Sequence, residues 1–304
     1  MQPNLLEELA NPSLLNGGRR GFLRTLGLAT AGTAGLIATT SRSKAAGNPA
    51  PTETDVAVLN FALNLEYLEA EYYLHATTGK GLEAAGIDVG ENAGPVFVKK
   101  NPRVKFTTPA FEDYANEIAE DEANHVRFIR EALQANGATP VDRPPINLKK
   151  SFETLGSLIG VKNFDPFANE INFLLGAFIF EDVGVTAYKG ASPLLTDKGI
   201  LEAAAGILGV EAYHAGVVRT LLYAQGGPIR TLVGKISAVR QSLDDSDVDM
   251  DQGIVRAKKA NLVPTDGNSI AFSRSTRQVL NIVYGGVNAE KGLFFPGALN
   301  GAIK

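Results

Sequence analysis

The chain contains no cysteine. That absence excludes disulfides, thiolate nucleophiles and zinc held by sulfur. Histidine is almost as scarce: only three occur in 304 residues, so the places where they fall carry unusual weight. Tryptophan is missing and methionine appears twice, which discriminates little. No basic patch of useful size stands out and the formal net charge is −4, so a nucleic-acid partner is not expected. What is present is an ordinary soluble composition, 44% apolar and 20% charged. The length suffices to bury a full core as one or two domains.

Residues 1–45 read as an address. Gly18-Arg19-Arg20-Gly21-Phe22-Leu23-Arg24 precedes a weakly apolar Ala/Gly-rich stretch over residues 25–38, and Ser43-Lys44-Ala45 closes it with small residues where a signal peptidase cuts. A charged start, a short apolar middle and such a site make a secretory signal, and the paired arginines give it the twin-arginine character. The apolar stretch falls short of the ~20 residues a span needs, so an uncleaved anchor is the weaker alternative. The expectation is cleavage near Ala45 and export to the periplasm or beyond, by a route that moves folded, metal-loaded proteins. The mature chain is then expected to keep no stable membrane span.

After a linker over residues 46–54, the spacing predicts an all-α body over residues 55–228. Leu59, Leu63, Ala70 and Tyr73 lie on one stripe of a first helix over residues 55–78. Thr108-Pro109 opens a second, which stops at Asn136-Gly137. Asp165-Pro166 opens a third, reaching Lys189-Gly190, and a fourth ends near Gln225-Gly226-Gly227-Pro228. The long connection between the second and third can cross a bundle end to end, because a helix of about 24 residues is roughly 36 Å long. Two antiparallel hairpins joined by one long crossover result. Beyond them, residues 229–304 form an extension of mixed helix and coil, expected to pack on the bundle or at an oligomer contact.

The body repeats itself. With Glu122 set on Glu211, Ala123/Ala212, His125/His214, Ile129/Val218, Arg130/Arg219, Leu133/Leu222 and Gly137/Gly226 match without a gap. With Glu66 set on Glu181, Tyr73 meets Tyr188. Two hairpins therefore look like copies of one, and pseudosymmetry brings matched residues face to face. Glu-x-x-His puts a carboxylate and an imidazole one turn apart on one helical face. Two such pairs plus one glutamate from each remaining helix supply Glu66, Glu122, His125, Glu181, Glu211 and His214 as ligands for two metal ions. Oxygen and nitrogen donors without thiolate suit iron or manganese. A single Glu-x-x-His is common on solvated faces, but Glu181 sits in an almost wholly apolar run, where an unpartnered charge is costly.

Some assignments stay open at this level. Glu69 lies one turn from Glu66 and competes with it as the first-helix ligand; the repeat favours Glu66, because Glu69 would match Gly184. Tyr73 and Tyr188 either hydrogen-bond the ligands or fill core space. Asp121 is a lesser rival to Glu122. His75 falls near the opposite face and reads as a packing or surface residue.

Leu65-Glu66-Tyr67-Leu68-Glu69-Ala70-Glu71-Tyr72-Tyr73 resembles the first-helix motif of the ferritin-like proteins that include plant desiccation-related proteins and their bacterial relatives. The tail from Phe272 to Tyr284, followed by Gly292-Leu293-Phe294-Phe295-Pro296-Gly297, is also similar to theirs. The resemblance implies a ferritin-like four-helix bundle with a C-terminal extension, and matches both Glu66 and Glu69. The residues and the resemblance together suggest redox chemistry of a di-iron or di-manganese site on a small oxidant, peroxide or dioxygen, in catalase-like or peroxidase-like stress protection. A metal-sequestering module without turnover and a structural desiccation-protective protein are the rivals, and a homo-oligomer is compatible with all three. The aspartates at 244, 245, 247, 249 and 251 do not make an EF-hand, since Gln252 stands where glycine should and the closing glutamate is missing. A solvated acidic loop is expected there instead.

Overall fold

The computed structural model describes residues 50–304; the expected signal segment lies outside the described residues. Seven helices follow, and each long one begins at a residue able to start it. Thr52 opens α1 (Glu53–Thr78) with a reciprocal capping box to Asp55, and Gly79 closes it at φ 78°, a left-handed cap that favours glycine. The second helix, α2 (Pro109–Ala135), has its proline at the start, but the Thr108 hydroxyl does not cap it. That hydroxyl donates instead to Glu170, which also accepts from both Thr107 and Thr108 backbone N–H groups.

Glu170 opens α4 (Glu170–Ala191), capped by Asn169, whose side chain accepts from Ile171 and Asn172 N–H. The helix therefore starts later than the Asp165-Pro166 signal suggests, because Asn169 satisfies two orphan donors while Asp165 turns back to Phe167 N–H. The fourth bundle helix, α5 (Lys198–Ala224), is capped by Asp197.

The crossover is not featureless. It carries α3 (Lys150–Leu158), and its strand β2 (Ile146–Asn147) pairs in parallel with β1 (Val96–Phe97) from the α1–α2 connection. At one end of the bundle the start of α1 meets the α4–α5 turn through Asp55, which accepts from Thr196 at 2.7 Å. At the other end the starts of α2 and α4 meet through Glu170. Adjacent helices thus run antiparallel, α1 against α2 and α4, and α4 against α5.

The main core cluster runs through all four helices and includes an aromatic wedge of Tyr72, Phe152, Phe173, Phe180 and Phe294. The run through α4, Glu170–Leu194, is the one described helix apolar and long enough to cross a membrane, yet 83% of its apolar window is buried in the protein. It is apolar nearly all round because it is the core helix.

The C-terminal residues pack onto the second hairpin, and their tail reaches back to α1, where Asn300 exchanges hydrogen bonds with Asn64. They comprise α6 (Gly227–Leu243), a short hairpin of β3 (Val255–Arg256) and β4 (Lys259–Ala260), α7 (Thr276–Tyr284) and a tail whose Phe294 and Phe295 are fully buried. The acidic run is not uniformly solvated. Asp245, Asp247 and Asp249 are exposed, but Asp244 and Asp251 are buried in an ionic network. Arg274 binds Asp244 and Asp251 at 2.8 Å, Arg240 binds Asp251 at 2.6 Å and Asp182 at 3.0 Å, and Arg219 binds Asp182 at 2.7 Å. Three buried arginines face three buried aspartates, so the charge balances where solvent cannot supply it.

Candidate metal centre

Each bundle helix contributes one glutamate to a cluster of donors in the core. Glu66 from α1, Glu122 from α2, Glu181 from α4 and Glu211 from α5 are all 1% exposed or less, and His125 and His214 join them from α2 and α5. The one-turn spacing puts each histidine beside the glutamate of its own helix. The repeat then brings the two pairs together, with the imidazole rings 6.5 Å apart.

Two groups of donor atoms result, each spanning no more than 4.8 Å: Glu66, Glu122, His125 and Glu211 in one, Glu122, Glu181 and His214 in the other. Nδ1 of His125 lies 3.1 Å from Glu66 and 3.5 Å from Glu122. Nδ1 of His214 lies 3.0 Å from the other oxygen of Glu122 and 3.6 Å from Glu181. Glu122 belongs to both groups, with one oxygen turned to each histidine.

The donors fit divalent ions. Both oxygens of Glu122, both of Glu211, one of Glu181 and Nδ1 of His214 are buried without a hydrogen-bond partner. Protein interiors rarely leave so many polar atoms unsatisfied in one place. An all-oxygen-and-imidazole set of this kind suits iron or manganese better than a thiophilic metal.

The electrostatics of the metal-free pocket express the same tension. Burial pushes Glu66 up to about 7 and Glu181 up to about 8, against an ordinary 4.5. Burial, then the surrounding carboxylates, raise Glu69 and Glu211 well above the usual range. Burial also works to raise Glu122, but the two imidazoles outweigh it and hold that carboxyl well below its usual range. Desolvation disfavours charged histidine, yet the carboxylates beside them win, lifting His125 to about 11 and His214 to about 9.

Both tyrosines reach the site. Tyr73 of α1 donates to Glu181 of α4, and Tyr188 of α4 donates to Glu66 of α1. Glu69 is buried one turn from Glu66 but lies in neither donor group. At its repeat counterpart, Gly184, a Cβ would collide with the Glu211 carboxylate, so beside α4 the room is taken by a glutamate of α5. His75 stands apart, 3.4 Å from Glu71, which pairs with Arg143.

Asp121 takes a role its sequence position does not announce. Its carboxylate lies 3.1 Å from Nε2 of His214, across the helix pair and outside both donor groups. Only the register of α2 against α5 creates this contact, so no local spacing could have revealed it.

An apolar cavity of about 30 Å³ lies between α1, α4 and the start of α5. Phe61, Ala62, Leu65, Ala187 and Ala191 are among the residues that line it, and Glu66, Glu69 and Tyr188 are the polar groups in its wall. It holds a molecule about the size of water and little more.

The model of the ferritin-like domain matches residues 54–224. A desiccation-related protein of Craterostigma plantagineum is 32% identical over 250 residues, covering 75% of this chain and 77% of that protein. A ferritin-like catalase of Nesocodon mauritianus is 27% identical over 273 residues, covering 83% of this chain and 85% of its own. No solved structure matches the chain.

Proposed function

This chain belongs to the ferritin-like domain family, and we propose that it is a di-metal oxidoreductase acting on hydrogen peroxide or dioxygen. The observation that carries the reading is Glu122, buried and shared between two imidazole-bearing donor groups. Glu66, His125 and Glu211 would hold one ion of iron or manganese, Glu181 and His214 the other, and Glu122 both. Bound there, the metal pair would supply reversible electron transfer and a Lewis-acid seat for a small oxidant.

The chain's own residues do the rest. The two tyrosine hydroxyls fix the rotamers of Glu66 and Glu181, so these carboxylates meet the ions without reorganising. The apolar cavity with Glu66, Glu69 and Tyr188 in its wall has room for a small uncharged molecule beside these groups. The catalase among the relatives supports peroxide as the substrate.

The test is metal analysis of the purified chain beside a Glu122→Ala/His214→Ala double variant, followed by peroxide assays. About two iron or manganese per chain, lost in the variant, is the expected result, with peroxide consumed by the loaded protein. Metal uptake without peroxide turnover would favour the sequestering role, and no uptake a structural protein like the desiccation-related relative. Export by the twin-arginine route belongs to the same proposal. It predicts that the chain recovered outside the cytoplasm begins near Ala46.

A further inference from the structure

The two histidines match in the repeat but not in what stands behind them. Nδ1 of His214 faces Glu122 and Glu181, while its Nε2 lies 3.1 Å from the Asp121 carboxylate. A carboxylate accepts hydrogen bonds, so the imidazole donates from Nε2, and Nδ1 is left as the nitrogen that faces inward and would give up its proton to an ion. His125 likewise turns Nδ1 to the carboxylates. Among the described residues, however, no protein group hydrogen-bonds its Nε2. The repeat gives the reason: with Glu122 on Glu211, the counterpart of Asp121 is Val210, which has nothing to accept a proton.

We infer that Asp121 is a positioning residue that makes the two metal positions unequal, so that the His214 position fills first and the His125 position second. The inference rests on the metal reading above. Its physical basis is that a carboxylate accepting from the far nitrogen fixes the tautomer and ring orientation and makes the near nitrogen a stronger donor. His125, whose Nε2 meets no protein acceptor among the described residues, lacks that constraint. Loss of a partner of this kind costs about 10–100-fold in metal affinity.

Asp121 suits the experiment because its side chain is 40% exposed, so replacing it leaves no buried void. The metal-free full chain is titrated with cobalt(II), followed by visible absorption and calorimetry, in wild type, Asp121→Ala, Asp121→Asn and Val210→Asp forms. Thermal unfolding of each metal-free form verifies that it is folded.

Wild type is expected to bind two ions in separate steps, the tighter one lost on His214→Ala. Asp121→Ala should weaken that step by about 10–100-fold and leave the other in place. Asp121→Asn should recover part of the loss, since the amide oxygen accepts the same hydrogen bond without the charge. Val210→Asp should tighten the weaker step by supplying His125 with the acceptor it lacks.

Two equal steps in wild type would overturn the inference. So would a folded Asp121→Ala chain with both steps unchanged, or with both weakened alike. Two unequal steps that ignore Asp121 leave the metal reading intact and refute this one, whereas a wild-type chain that binds no cobalt refutes the metal reading itself.

Discussion

Tyr188 hydrogen-bonds Glu66 across the bundle, and Tyr73 returns the contact to Glu181 in the opposite direction. Each hairpin thus orients the carboxylate of the other. Replacing either tyrosine by phenylalanine removes one hydroxyl and almost no volume. The expected outcome is a folded chain whose metal affinity is about 10–100-fold lower, read by competition with a chelator. Affinity equal to wild type in both variants would reduce the tyrosines to core filling.

The cavity between α1 and α4 makes a separate prediction. Ala187→Leu fills it from the α4 side, at a cost of about 1–3 kcal/mol if the core must give way. Metal content should be unchanged while kcat/KM for peroxide falls, because the space beside Glu66 and Glu69 is filled. Steady-state kinetics on the metal-loaded variant provide the check, and an unchanged kcat/KM would mean that the oxidant enters elsewhere.

Without metal, stability should fall as pH rises. Glu66 at about 7, Glu181 at about 8, His214 at about 9 and His125 at about 11 all lie above their ordinary 4.5 and 6.5. The folded state therefore binds more protons than the unfolded chain between about pH 5 and pH 9, which gives a negative slope of stability against pH. Glu122, held low, acts in the opposite sense, its contribution being lost as pH falls below the ordinary carboxylate range. Metal displaces protons from the same groups, so its binding tightens as pH rises. Calorimetry should find Tm falling from about pH 6 to about pH 9 with EDTA present and holding up with manganese. A metal-free Tm that climbs over that range would contradict this account.

The ionic network behind α4 should matter to stability out of proportion to its size. Arg274→Ala strands Asp244 in the core, leaves Asp251 with Arg240 alone and should cost about 3–5 kcal/mol. Asp247→Ala, in the exposed part of the same acidic run, should cost less than about 0.5 kcal/mol. Denaturant midpoints of the two variants compare them directly.

Sequence reasoning reached the four bundle helices because their starts and stops are local chemistry, as at Thr52 and Gly79. It missed α3, where Lys149 offers no side-chain cap and proline-containing sequence precedes the helix. It began α4 too early, because a proline after an aspartate mimics a helix start that Asn169 supplies better. The candidate site was legible because duplication wrote it twice: Glu122 and His125 are each vouched for by Glu211 and His214. Asp121 at His214, and Asp244 and Asp251 under Arg274, depend instead on how distant segments meet. No spacing along the chain encodes those contacts.

One further pair of matched residues bears on how such a chain can change. Arg130 and Arg219 occupy the same place in the two hairpins and both are buried, yet each is met by different surroundings. Arg130 takes the Tyr67 hydroxyl, Asp88 and the Val141 carbonyl, while Arg219 takes Asp182 and the carbonyls of Gln252, Gly253 and Asn261. Each hairpin thus carries the same cationic socket; a neighbouring bundle helix gives one acceptor, Tyr67 or Asp182, and connecting chain of unrelated sequence supplies the rest. Loops and tails around the bundle are free to be exchanged so long as they bring enough acceptors to fill it.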